Sequence, residues 1–434
     1  MDNLFEAIAT LKKEPDSAKI ENELKEMLTL AEDMRKSQRE RYLKEHEYKV
    51  WQGKNLRWLT YLPDETKADN RRLISKASKE ELDEAIIAYY DKEEQAKQRK
   101  QITLFGIYEE WLAYKAVHVR ASSYMRRIDN DWKRYYLKDE IVSKKVKDLD
   151  FLYLDTWCHN KIKDLGLTKK QYYNMSVIIR QILDYAVNKE IIEENPMDSI
   201  KINPKLFKPE RKKDDRTQVY LIEEQPILEK AVLAEFKESK CTIPLAILFA
   251  FQTGVRIGEI VGLRWSDIGE EYSNYMLVQR QEVRDEKRNE DGTWQKASLV
   301  VVDYTKSDAG HRNVFLTSYA REILEMVRRQ NEEDGFANDG YIFLQKNGSR
   351  ATKRMVDNRL RKCCKRAGVP EKSMHKIRKT YISTLIDNAV NINTIRALVG
   401  HEDERTTYHN YCFNRKSEDQ IQGELEKALV SKCS

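Results

Sequence analysis

The chain has 434 residues, enough for about three domains at roughly 150 residues each. Charged residues make up 35%, well above the usual quarter or so. Lys plus Arg number 78 against 72 Asp plus Glu, so the net charge of +6 is modest. Nucleic-acid affinity, if present, must then come from local basic patches. The six cysteines show no CxxC pair and no histidine partner at zinc spacing, which argues against a disulfide framework and a zinc site. No cofactor is expected. Residues 1–20 are charged throughout and lack the apolar core of a secretory signal. The longest apolar run, Ile243–Phe251, is far too short to span a bilayer, so a cytoplasmic protein is expected.

Taken in order, residues 1–45 read as an amphipathic helical extension that Pro15 splits. Residues 46–100 change pattern. Aromatic and β-branched runs around Tyr48–Trp51, Leu56–Leu62 and Arg71–Lys76, divided by turn residues, predict three short antiparallel strands. Ser78-Lys-Glu-Glu81 has the form of a capping box and opens a helix to about Arg99. Lys49, Lys54, Arg57, Arg71, Arg72 and Lys76 on that sheet suit a β-sheet reader of a DNA groove, or an ordinary solvated face.

Residues 101–200 predict a compact bundle of four helices whose Met and aromatic stripes form its core. In the second helix Arg126, Arg127, Lys133 and Arg134 alternate with Tyr124, Trp132 and Tyr135, which hints at a nucleic-acid face. Residues 201–218 carry two prolines and seven Lys/Arg, among them Lys208, Arg211 and Lys212, and no apolar period. This is a linker that lies against phosphates if its neighbours face DNA. Residues 219–412 form the largest domain, in which helices alternate with strands at Tyr275–Gln281, Thr293–Val302 and Arg312–Leu316. The tail, 413–434, carries Ile421, Leu425, Ala428 and Leu429 at helical spacing. The fold class is mainly α with small β elements.

Chemistry concentrates in that large domain. Arg256, Arg378, His375, His401 and Tyr411, with no carboxylate cluster among them, suit a group that carries negative charge on several oxygens. A phosphodiester is such a group. Its cleavage without a metal needs donors that meet charge developing on the non-bridging oxygens, which planar guanidinium forks supply. A phenol is a fitting nucleophile, and an imidazole or an ammonium can manage the protons.

The motifs stand in a set order. Thr253-Gly-Val-Arg256-Ile-Gly-Glu259 comes first, then Tyr304-Thr-Lys306-Ser with Arg312-Asn-Val-Phe-Leu. His375-x-x-Arg378-Lys-Thr380 follows, then Leu398-Val-Gly400-His401 with Thr407 and Tyr411. In this the chain resembles the tyrosine recombinases of the phage and transposon integrase family, specifically over about 215–415 and more loosely upstream. The resemblance implies a catalytic domain, a four-helix core-binding domain and a three-stranded arm-binding domain.

It also implies Arg256, Arg378 and His401 as phosphate donors, with Glu259 and Thr380 in support. Tyr411 would be the nucleophile of a 3′-phosphotyrosyl intermediate, His375 would help take its proton, and Lys306 on a mobile hairpin would be the general acid. Where the family often has a second histidine after the second-box arginine, this chain has Lys379. Tyr411 lies ten residues after His401 and Tyr408 seven, and the family's spacing of nine or ten favours Tyr411.

Further implied are a tetramer on two paired DNA sites, core and arm sites, an excisionase, a DNA-bending protein, and a tail that docks on a neighbouring subunit. The alternatives are a type IB topoisomerase-like enzyme and a non-catalytic DNA-binding regulator.

Overall fold

The computed structural model describes residues 17–210, 213–269, 274–289, 291–400 and 411–430. Two compact units result, Met1–Lys115 with Asp131–Lys208, and Ala116–Asn130 with Pro209–Ser434. Pro15, expected to split the first helix, lies outside the described residues.

The first unit opens with helix α1 (Ser17–Glu45). A sheet of β1 (Trp51–Gln52), β2 (Trp58–Pro63) and β3 (Arg71–Lys76) follows, antiparallel and in that order. Helix α2 (Lys79–Arg99) begins where Ser78 accepts a hydrogen bond from the Glu81 amide. Its Leu82 and Ile86 bury against Leu62, Trp58 and Ile74, so one sheet face is closed. Removing each such aliphatic side chain from water is worth about 1.5–3 kcal/mol.

Next come α3 (Leu104–Val117), α4 (Ser122–Tyr135), α5 (Phe151–Leu165) and α6 (Lys169–Asn188). Within this unit Tyr108, Trp132 and Tyr136 stack in sequence, with centroids 3.9 and 4.9 Å apart. Tyr136 also donates to the Met175 carbonyl at 2.6 Å. The aromatic stripe is core only in part. Tyr108, Trp111 and Leu112 are buried, whereas Phe105 and Tyr114 are exposed because they fall off the inward stripe of α3.

The second unit is built around α8 (Leu245–Thr253), apolar from Leu245 to Phe251 and buried nearly without exception. Helices α7 (Glu224–Ser239), α10 (Ser318–Glu333), α11 (Lys353–Ala367) and α12 (Met374–Asp387) surround it. A helix apolar on all sides requires that jacket. Short helices α9 (Ile257–Ile260) and α13 (Ile392–Val399) flank the group, and α14 (Glu418–Val430) follows.

The strands differ from the sequence expectation. Four form two separate pairs: β4 (Tyr275–Val278) with β7 (Arg312–Phe315), and β5 (Gln281–Asp285) with β6 (Ser298–Val302). The expected strand 275–281 breaks at Gln279 and Arg280, whose side chains turn to the buried Asp267 carboxylate at 2.8 and 2.6 Å. The expected strand 293–302 starts only at Ser298. Upstream of it Trp294 keeps only an isolated antiparallel bridge with Arg288, and its indole donates to the buried Asp129 at 2.8 Å.

Candidate active site

The site begins at the end of α8. Gly254 caps that helix in the left-handed region (φ +61°), and a Cβ there would lie 2.2 Å from the Tyr381 ring. The turn delivers Arg256 to the start of α9. Its amide donates to Glu259 Oε2 at 2.9 Å, its Nη1 to Glu259 Oε1 at 2.7 Å, and its Nη2 to the Gly400 carbonyl at 3.2 Å.

Glu259 is 1% exposed. Burial alone would raise its pKa, but the Arg312, Arg256 and Arg378 guanidiniums outweigh burial and hold it at about 2. It is therefore a fixed carboxylate that orients arginines.

Helix α12 supplies the opposite wall. His375 and Arg378 are three residues apart and share one helical face. Arg378 is 1% exposed; its Nη1 donates to the Gly254 carbonyl at 2.8 Å and its Nη2 to the Val399 carbonyl. Burial, and then the charge of Arg256, lower its pKa to about 9, and it stays protonated at neutral pH.

Burial also lowers His375 to about 4, with Arg378, Lys379, Lys376 and Arg256 pushing the same way. Its imidazole is neutral near pH 7 and has a lone pair to offer. The ring meets Tyr411 edge to face, with centroids 5.8 Å apart.

Tyr411 is 8% exposed and packs with Ile382, Ile395 and Val399. The Ser383 hydroxyl donates to its carbonyl at 2.7 Å and accepts from the Phe413 amide at 3.2 Å. Just beyond, buried Arg415 donates through Nε to the Tyr220 carbonyl (3.1 Å) and through Nη2 to Gln225 Oε1 (2.8 Å). The chain leaving the phenol is thus fastened to its own unit.

Lys379 lies 5.9 Å from the centroid of the Tyr411 ring and 4.4 Å from that of Phe413. It shares the Gln218 amide oxygen with Lys376. Burial, then Lys379, Lys213 and Lys372, bring Lys376 down to about 8. Cations that lower one another's pKa form a place where an anion is stabilised.

Comparison with known proteins agrees. Residues 225–418 match the model of the phage integrase family. The tyrosine recombinase XerC-like protein of Caldanaerobacter subterraneus subsp. tengcongensis is 24% identical over 324 residues, 72% of this chain and 79% of that one. The ICEBs1 integrase of Bacillus subtilis is 23% identical over 354 residues, 78% of this chain and 87% of that one. Among solved structures, the Tn1549 transposon integrase in complex with a circular intermediate DNA shares the fold. Its TM-score is 0.55 at 18% identity, covering 75% of this chain and 99% of that one.

Residues 225–418 thus form a domain of the phage integrase family.

The remaining expected residues divide. His401, Thr407 and Tyr408 lie outside the described residues, as do Arg211 and Lys212 of the linker. Thr380 is fully buried; it accepts from the Tyr220 amide at 2.8 Å and donates to the Lys376 carbonyl at 2.9 Å, which braces α12. Lys306 is exposed, and it does not sit on a hairpin. It rides the loop from β6 to β7, strands that each pair with a different partner, because the ladder has already split at Gln279 and Arg280.

The basic residues of the sheet also separate. Register sets Arg72 opposite Leu62 and Lys76 opposite Trp58, on the face that α2 covers, so both stay exposed only at its margin. Arg71 lies on the open face, 4.5 Å from the centroid of the Tyr61 ring. On the strand-connecting side, Arg57 is bonded to the Ser75 hydroxyl at 2.8 Å. Lys49 and Lys54 are exposed.

On α4, Arg127, Lys133 and Arg134 are exposed, but Arg126 pairs with the buried Glu286 at 2.7 Å. Lys208 is exposed in the linker. Sequence reasoning gave Arg312, Lys376 and Lys379 no role. The signal for Arg312 was the two-residue period of β7, which turns it inward beside buried Val314; an inward charge on a strand must be paired.

Proposed function

We propose that this protein is a site-specific DNA recombinase, the integrase of an integrative element or prophage. The arrangement that carries the reading is the neutral His375 beside the Tyr411 phenol, with the half-buried Arg256 and the buried Arg378 close by. Tyr411 Oη attacks the phosphorus and its proton passes to His375. Arg256, Arg378 and His401 hold the non-bridging oxygens, and the 5′ oxygen leaves with a proton from Lys306. The product is a 3′-phosphotyrosyl ester that a second 5′ hydroxyl can reverse, first into a Holliday junction and then into recombinants. The ester retains the bond energy, so rejoining needs no nucleotide.

Three tasks fall to three stretches. Residues 46–100 hold arm sites, and residues 101–200 and 219–412 hold the core site. Directional integration with an arm module further implies an excisionase and a DNA-bending protein. In the tail helix α14, Leu425 and Leu429 are exposed four residues apart, which fits docking on a neighbouring subunit of a tetramer. Deleting residues 417–434 should leave DNA binding intact and impair synapsis. Unchanged recombination by the truncated protein would reject that role.

The deciding experiment is trapping on a nicked suicide DNA that carries the element's own core sequence. A covalent adduct that disappears with Tyr411→Phe and survives Tyr408→Phe is expected. Loss only with Tyr408→Phe would move the nucleophile. No adduct from wild type on DNA it binds would leave a regulator. Relaxation of a supercoiled plasmid without paired sites, and no strand exchange, would favour the topoisomerase-like alternative.

A further inference from the structure

Arg312 makes four side-chain bonds beside the site, and the mechanism above does not use it. It lies on the inward side of β7, 7% exposed. Its Nη2 donates to Glu259 Oε2 at 2.9 Å and its Nη1 contacts Glu259 Oε1 at 3.3 Å. The same Nη1 donates to the Gly310 carbonyl at 2.8 Å, and Nε to the Leu398 carbonyl at 2.7 Å. One planar fork therefore joins three separate stretches: the carboxylate that orients Arg256, the end of α13, and the loop that carries Lys306.

That loop is compact from within and crowded from outside. Thr305 Oγ1 donates to the Ser307 carbonyl at 2.6 Å, and the Gly310 amide donates to the same carbonyl at 2.9 Å. A Cβ on Gly310 would lie 2.5 Å from Thr305 Oγ1, so the two ends of the loop touch. Gly400, the left-handed cap of α13 (φ +65°), presses on the loop too. A Cβ there would lie 2.5 Å from the Ala309 carbonyl and 3.1 Å from Arg312 Cδ. Arg312 and two glycines thus hold the β6–β7 loop, while the Lys306 side chain itself stays exposed and able to reach a substrate.

We infer that Arg312 is a positioning residue for the general acid: it fixes the Lys306 loop against Glu259 and the end of α13, so that Nζ protonates the departing 5′ oxygen. A lysine cannot replace it, because one ammonium cannot bridge a carboxylate and two carbonyls set in three directions. The inference rests on the tyrosine-cleavage reading, and its test separates the two.

The test compares single-turnover cleavage of two substrates in wild type and in Arg312→Lys, Arg312→Met, Gly310→Ala and Lys306→Ala. One substrate is an ordinary phosphodiester. The other has sulfur in place of the bridging 5′ oxygen at the cleavage point. In both, Tyr411 Oη forms the new bond to phosphorus and the bridging atom leaves with the electron pair. The sulfur leaves as a thiolate and needs no proton, so only the phosphodiester reports the general acid.

Lys306→Ala should lose about 10²-fold or more on the phosphodiester and recover on the sulfur substrate. Both Arg312 variants should follow that pattern, with about a 10²-fold loss from misplacing the acid and recovery to within about threefold of wild type. Gly310→Ala deforms the loop while Arg312 stays, and it should show the same recovery, which keeps the test decisive if an Arg312 variant does not fold.

Equal losses on both substrates would mean that Arg312 acts through Glu259 and Arg256, and would overturn the inference. So would full activity of the Arg312 variants, or a Lys306→Ala defect that sulfur does not relieve. If wild type cleaves neither substrate, it is the cleavage reading that fails.

Discussion

On the N-terminal sheet, basic residues lie on or beside a face open to water, Arg71 over a tyrosine ring and Arg57 bonded to a serine. In the second unit, Arg256, Arg312 and Arg378 converge around one buried carboxylate, and burial lowers the pKa of Arg378 and of His375. Charge of the first kind is cheap, screened by salt and replaceable one residue at a time. Charge of the second kind is held in place by the fold at a cost that a bound phosphate offsets. The sheet can supply affinity, and the buried cluster can supply a rate.

The largest break in that contrast should come from Arg378→Gln. Single-turnover cleavage of a suicide substrate should fall by about 10²–10³-fold while affinity for the DNA changes far less. Equal losses in rate and affinity would place Arg378 among the merely adhesive cations.

Next comes the scaffold of the cluster. Gly254→Ala puts a Cβ into the Tyr381 ring at a left-handed position and should cost more than about 1 kcal/mol, read as a lower Tm. An unchanged Tm would show that the close approach of α8 and α12 is slack.

On the sheet, Arg71→Ala should weaken binding of arm DNA only a few-fold. It should reduce the slope of log affinity against log salt by about 1, and leave cleavage of core-only DNA untouched. A changed cleavage rate would erase the division of labour.

The smallest effect concerns pH. The His375 imidazole, held at about 4 by burial and then by Arg378, stays neutral as pH falls from 7 to 5.5. Second-order cleavage by the free enzyme should therefore drop less than about twofold, where a base of ordinary pKa near 6.5 would lose about tenfold. A tenfold loss that His375→Gln removes would show an imidazole titrating at its usual value.

Much of this was legible in the sequence, for physical reasons. The helices of the first unit announced themselves through long 3.6-residue periods, and Ser78 through Glu81 announced a helix start. The arginines, histidine and tyrosine of the site stood out because their types and order are costly to assemble by chance. The errors came where a side chain overrode a local pattern. Asp267 drew Gln279 and Arg280 out of a strand that alternation extends through them, and Trp294, bonded to Asp129, keeps only an isolated bridge to Arg288. Arg312 stood in a motif but received no role of its own, because a single arginine on a strand reads as surface unless its period is counted against its neighbours. Arg72 and Lys76 looked equivalent to Arg71 until register put them on the other face.

The fastening of Arg415 behind Tyr411 has a mechanical consequence. Under the proposed chemistry, the ester on Tyr411 would anchor the 3′ end of the cut strand to a segment tied at Ser383 on one side and at Tyr220 and Gln225 on the other. The travel that exchange requires would then fall on the liberated 5′ end, and the protein would work as a vice for one strand terminus and a passive guide for the other.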